Sequence, residues 1–475
     1  MKPKIVTFSV ALLIGVAMGN GLTISNLSVN QTAGTVTFDV QWHNSFRDAE
    51  NWDAVWIFVK FRDCSVPKTV PFTHGLISTT LSDHTFPATL QPTCANGTPN
   101  CIDPAPDNTG VMLRRTSNGF GTIGGTVTLR VTNLPAAGSY DVRVIGIEMV
   151  FIPQGSFYAG DATSNNSIRT SNTDNSPIQI TSEAALTTIS YLGAGNFSLT
   201  ANFRKGFAAF YIMKYEISHG QYVDFLNTIG QSQASNRFPN TTVNRHRVMY
   251  NTLTTEYYTD RPDRAVNYIS WEDLVAYLDW AALRPLTELE YEKACRGPLA
   301  PVPNEFAWGT TAHTYGVTLS GAEDGTETFI TPGANARAID QTITGGDGGA
   351  GPCRVGIFAT PSTNTRAASG ASYWGVMNLS DNVLEYYYDL RAGQSGRSPS
   401  NGIPWGDGNL SAAGDANQLN WVTTCNTTDI IMRGVMQAGN PNLGRVSHRG
   451  FVGYTCGWSD YYPGRFFTNG GRGGR

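Results

Sequence analysis

The chain has 475 residues, too many for one ordinary hydrophobic core, so two or three domains are expected. Only 15% of the residues are charged and the formal net charge is -4, which excludes the basic surface that nonspecific nucleic-acid binding requires. The 52 aromatic residues (Trp 10, Tyr 20, Phe 22) exclude a disordered chain, and Gly 51 points to a loop-rich globular one.

At the N-terminus Lys2 and Lys4 precede an apolar run from Ile5 to Met18, and Ala17 and Gly19 are small residues at the spacing a signal peptidase accepts. The run is short of the roughly 20 residues a membrane span needs. Residues 1–19 therefore read as a cleaved secretory signal, with an uncleaved anchor as the alternative, and the mature protein reads as secreted or displayed on a bacterial cell surface. No later segment could cross a membrane as a helix. From 20 to 148 the pattern is all β. "LTISNLSVNQTAGTVTFDVQW" holds two alternating runs around a polar turn, and "WDAVWIFVKF", "GGTVTLRVTNL" and "GSYDVRVIGIEM" continue it. Short strands divided by Gly, Asn and Pro turns predict an immunoglobulin-like sandwich. Trp42, Trp52 and Trp56 are expected to pack in its core or against the next domain. Of the seven cysteines, Cys94 and Cys101 in "CANGTPNC" suit a local disulfide. The partners of Cys64, Cys295, Cys353, Cys425 and Cys456 cannot be read.

A second domain is expected over 149–475. After "MVFIPQGSFYAG", the polar stretch from Asp161 to Ser176 predicts a surface loop. Three helices follow. "EISHGQYVDFLNTI" carries a capping box of Ser218 and Gln221, with Tyr222, Phe225 and Leu226 buried. "SWEDLVAYLDWAAL" is capped by Ser270 with Asp273 three residues on, and turns Leu274, Tyr277 and Leu278 inward. "LTELEYEKACRG" has Thr287 and Glu290 as its box and Gly297 as its stop. Beyond Gly297 lie some 175 residues of glycine-rich loops. Bound cations are one physical way to fix them, because buried loop backbone must have its polar groups satisfied.

Eight segments in order, "FIPQGSFYAG", "YIMKYEISHGQYVDFLN", "RAVNYISWEDLVAYLDW", "LRPLTELEYEKACRG", "EFAWG", "YWGVMNLSDNVLEYYYD", "IMRG" and "GRVSHRG", resemble the formylglycine-generating enzyme (sulfatase-modifying factor) family. The resemblance runs from about Val150 onward and implies an α+β, loop-rich decoration of the C-type lectin fold. The family's enzymes oxidise a cysteine of a sulfatase to formylglycine with a copper ion held by two thiolates. The corresponding segment here, Met432 to Phe451, contains no cysteine. Cu(I) is soft and requires soft ligands. No copper and no enzyme activity are therefore expected.

The family's calcium sites map onto oxygen donors. One falls on Asn378, the carbonyls of Asp381 and Val383, and Glu385; the other on Asn335, the carbonyl of Ala336, Asp347 and the carbonyl of Gly349. Hard oxygen ligands a few residues apart suit one or two Ca²⁺ ions, although a polar turn without metal is the alternative. Asp381 stands where the family has glycine, so a positive φ there would strain the loop. In the tail, Tyr454, Trp458, Tyr461, Tyr462 and Arg465 are candidate ligand contacts, since rigid rings with small polar spacers make adaptable surfaces. The expected role is that of a surface binding or assembly protein recognising a protein or glycan, with cell-envelope or self-assembly partners. The alternatives are the copper-dependent oxidase and a target-recognition protein with a diversified C-terminal surface.

Overall fold

The computed structural model describes residues 21–426, 428–450 and 464–475. The expected signal over 1–19 lies outside these residues. Strands β1 (Thr23–Asn30) and β2 (Thr35–Arg47) form the expected hairpin. Gly34 supplies the positive φ of 60° that the turn between them requires. Next come β3 (Asp53–Asp63), β4 (Thr73–His74), β5 (Leu90–Thr93), β6 (Val111–Arg115), β7 (Gly119–Arg130) and β8 (Tyr140–Ile152). One sheet has the order β1-β2-β7; the other runs from Phe210–Met213 through β8, β3 and β6 to β5, with β4 beside β3. The inward residues of both, among them Phe38, Trp42, Ile57, Val59 and Leu113, share one apolar cluster. Cys94 and Cys101 form the expected disulfide.

β8 continues past the expected boundary at 148/149. Its last residues, Met149 to Ile152, pair with the strand Phe210–Met213 of the second unit while the rest pairs with β3. Polar contacts fasten the two units along this seam. Trp56 donates to the Ala281 carbonyl at 2.9 Å and Trp52 to the Tyr211 hydroxyl at 2.9 Å, which fits the tryptophans expected to pack inside. Lys214 bridges Asp53 and Glu148 at 2.9 and 3.4 Å, all three side chains buried.

The three expected helices are α1 (His219–Thr228), α3 (Trp271–Trp280) and α4 (Glu288–Arg296), each begun by the capping box read in the sequence. Gly297 ends α4 with φ 67°. A short helix, α2 (Gln231–Arg237), was not expected; its polar "QSQASNR" has no apolar stripe to announce it. The stretch from Asp161 to Ser176 differs from the expected surface loop in its first half. The Asp161 carboxylate accepts from Thr163, Ser164 and Asn304, and Ser164, Ser167 and Ile168 are buried. Beyond α4 the loops are organised by a small sheet in which Leu384–Tyr388 lies antiparallel to Ile430–Arg433 and parallel to Asn469–Gly470. That sheet brings the loop before Leu384 against the last residues of the chain. Among the described residues no helix is long and apolar enough to cross a membrane.

Candidate functional site

The loop entering the strand Leu384–Tyr388 turns its polar side chains inward. Asn378 and Asn382 adopt left-handed backbone, φ 58° and 70°, a region asparagine tolerates well. Asp381 is not among the left-handed residues, so the strain that its substitution for glycine threatened does not arise. The Asn378 amide oxygen accepts from the Gly356 N–H at 2.7 Å, and its nitrogen donates to Asp381 Oδ1 at 3.1 Å. Asp381 Oδ2 accepts from the Arg337 N–H at 2.8 Å, and the Asp381 carbonyl from the Val383 N–H at 3.0 Å. Glu385 is gripped by Arg472, whose Nη2 reaches Oε1 at 2.6 Å and whose Nε reaches Oε2 at 2.9 Å; the Tyr387 hydroxyl donates to the same carboxylate.

Glu216 completes this cluster. Asn382 Nδ2 donates to its Oε1 at 3.1 Å, but Oε2 is buried without a partner. Glu216, Asp381 and Glu385 are all at most 1% exposed. Their one ion-paired cation among the described residues is Arg472, since the Arg337 guanidinium turns to the carbonyls of Gln341 and Gly351. Burial pushes the Asp381 carboxyl up to about 7 against its hydrogen bonds, and burial, with Glu385 and Asp381 nearby, raises Glu216 against the pull of Arg472. Buried carboxylates with one oxygen left orphaned are the donor chemistry a hard cation takes. No three His, Cys, Asp or Glu side chains converge on a metal position among the described residues. A cation here would therefore rest on Asn378, Glu385 and the carbonyls of Asp381 and Val383.

The donors of the second mapped calcium set are engaged by other partners as well. Asp347 is held by Arg261 at 2.6 Å and by Arg264 at 2.7 Å, and Glu323 pairs with Arg245 and Arg264 behind it. The Asn335 amide accepts from the Thr314 N–H and donates to the Ala367 carbonyl. Ala336 is buried and its carbonyl accepts from the Gly316 N–H, while the Gly349 carbonyl accepts from the Ile343 N–H. Guanidinium groups already supply the positive charge that the carboxylate needs.

In the segment where the family places its thiolates, ion pairs fix the backbone. Arg433 binds Glu288 at 2.6 Å and Glu292 at 2.8 Å, and Arg449 binds Glu288 at 2.6 Å and Asp389 at 3.0 Å, all with buried side chains. Glu288 and Glu292, one turn apart on α4, were not singled out in the sequence, because their arginine partners lie 141, 145 and 161 residues away. Cys295 and Cys353 are buried free thiols, and burial pushes Cys295 up to about 12. Cys425, whose partner could not be read, is disulfide-bonded. Its N–H donates to Glu272 at 2.7 Å, and the preceding turn is tied to α3 by Trp271 donating to the Val422 carbonyl at 2.6 Å.

Of the tail candidates, Tyr454, Trp458, Tyr461 and Tyr462 lie outside the described residues. Arg465 is not a free contact: it grips Asp273, the capping carboxylate of α3, at 2.6 and 2.7 Å. Next to it Phe466 is 48% exposed.

Residues 142–453 match the sulfatase-modifying factor enzyme 1-like domain. The chain is similar to the formylglycine-generating enzyme of Thermomonospora curvata, 31% identical over 131 residues, or 28% of this chain and 35% of that protein. It is also similar to the enzymes of the same name from Bos taurus (45% over 56 residues, 12% and 14%) and Streptomyces coelicolor (47% over 51 residues, 11% and 16%). These matches span about a third of the relatives' length or less. Relatives named as enzymes overturn the expectation, drawn from the missing cysteines of Met432 to Phe451, that the chain is not one.

Proposed function

Because the chain belongs to the sulfatase-modifying factor enzyme 1-like domain family, we propose that it is an enzyme that oxidises a cysteine side chain of a protein substrate to an aldehyde. The observation that carries this reading, beside the match over 142–453, is the disulfide at Cys425. Copper in this family requires two sulfur ligands. Met432 to Phe451 offers none, whereas a disulfide on reduction leaves two thiols within bonding reach of each other. Bound there, Cu(I) would supply one-electron chemistry toward dioxygen. The chain's own contribution is positional. Glu272 and Trp271 pin the backbone around Cys425 to the rigid first turn of α3, and the Tyr388 hydroxyl accepts from the Val422 N–H at 3.1 Å.

In this reading residues 1–19 direct export, 20–148 form an immunoglobulin-like presenting unit, and 149–475 carry the activity and a calcium ion at the Asn378–Glu385 loop. The lectin-like recognition of a protein or glycan becomes the holding of the substrate beside the C-terminal segment, and the exposure of Phe466 supports an accessible ring there. The test is Cu(I) titration of reduced protein against a chromophoric chelator. On a Cys94→Ala, Cys101→Ala background, which removes the other thiol pair that reduction frees, the chain should bind one copper, Cys425→Ser should lose it, and Cys64→Ser, an exposed free thiol elsewhere, should keep it. Equal copper binding by Cys425→Ser would refute the assignment.

A further inference from the structure

Arg472 binds one carboxylate, Glu385, and a second, Glu216, helps sustain its charge. The segment containing Glu216 runs beside the C-terminal segment: the Ile217 N–H donates to the Gly471 carbonyl at 2.9 Å and the Met213 N–H to the Gly473 carbonyl at 2.9 Å. Arg472 lies between those two contacts and sends its guanidinium to Glu385, to the Met377 carbonyl at 2.8 Å and to the Met213 carbonyl at 3.1 Å. Glu216 is left with one oxygen unpartnered in a fully buried position. Burial opposes the Arg472 charge, and Glu385 and then Glu216 are the groups that most sustain it.

A cation that takes Glu385 competes with Arg472 for the same carboxylate. A buried arginine cannot be left uncompensated, so it needs a second partner within the cluster. We propose that a hard divalent cation bound by Asn378, Glu385 and the carbonyls of Asp381 and Val383 transfers Arg472 from Glu385 to Glu216. Glu216 is then a positioning residue for the metal site, not a ligand: it lowers the cost of releasing Glu385 by receiving the displaced guanidinium. The inference rests on the calcium reading of this loop and adds what becomes of Arg472. It also accounts for a buried carboxylate that the fold otherwise leaves half-satisfied.

The experiment titrates chelator-treated full-length protein with calcium chloride by calorimetry and determines a crystal structure with calcium. Wild type should bind calcium at this loop, with Arg472 seen on Glu216. Glu216→Gln should weaken calcium binding at least ten-fold. Glu148→Gln is the control: it removes another buried carboxylate, lining the same small cavity as Glu216, and should leave the affinity within two-fold. Absence of calcium binding would remove the cation. Calcium bound with Arg472 still on Glu385, or equal weakening by the two variants, would remove the exchange while leaving the site.

Discussion

Lys214→Met should destabilise the whole molecule, because one ammonium group of the second unit serves two carboxylates of the first. Its Nζ lies 2.9 Å from Asp53 Oδ2 on β3, 3.4 Å from Glu148 Oε2 on β8 and 3.1 Å from the Asn44 carbonyl. Breaking a buried ion pair by removing one partner costs about 3–5 kcal/mol, since the survivor stays buried and charged. Two features place the loss near about 3 kcal/mol, the low end of that range. Burial pushes the Glu148 carboxyl up to about 8, so it can take a proton once Lys214 is gone. Asp53 keeps hydrogen bonds from Trp42, Ser45 and the Phe46 N–H. Urea unfolding followed by tryptophan fluorescence and far-ultraviolet circular dichroism measures it. Both signals should shift together, because β8 joins the sheets of the two units. Lys68→Met, which breaks an exposed pair with Glu256, should cost at most about 1 kcal/mol. A loss below about 1 kcal/mol for Lys214→Met, or separate transitions for the two signals, would refute the reasoning.

The remaining expectations are smaller in scope. Stability should fall as pH rises from 6.5 to 8: burial raises Asp279 to about 7 and Glu148 to about 8, so the folded chain holds protons that the unfolded chain releases. Below that window the trend should be blunted, because His246 and His448, pushed down to about 4 by burial, must be neutral in the fold and oppose it; thermal melts across buffers check both parts. The paired replacement Cys94→Ala and Cys101→Ala opens a loop with a sequence separation of 7 and should lower the unfolding free energy by about 2–3 kcal/mol in denaturant titrations. Gly297→Ala should cost about 1–3 kcal/mol in the same assay, since φ is +67° and the added carbon would come 2.3 Å from the Tyr373 ring.

What the sequence made legible was local. Capping boxes and the glycine stop of α4 depend on residues three or four apart, so α1, α3 and α4 could be placed without knowing their neighbours. The tight "CANGTPNC" loop likewise declared its disulfide. The seam between the units was not legible, because β8 pairs on one side with β3 and on the other with a strand some 60 residues later. Nor was the state of the Asn378–Glu385 loop: its donors could be read, but the guanidinium on Glu385 comes from Arg472, 87 residues away in the glycine-rich end of the chain. The activity was misjudged for the same reason. The reading leaned on one local feature, the absence of cysteine from Met432 to Phe451, and relatives named as enzymes stand against it.

The most direct test of the central claim is turnover. Reduced, Cu(I)-loaded protein is mixed with dioxygen, a thiol reductant that supplies the two electrons per turnover the cysteine does not, and a cysteine-containing sulfatase peptide, and the peptide is weighed by mass spectrometry. The account predicts copper-dependent conversion of the cysteine to the aldehyde by wild type and none by Cys425→Ser. An unchanged peptide with fully copper-loaded wild type, or undiminished conversion by Cys425→Ser, would contradict it.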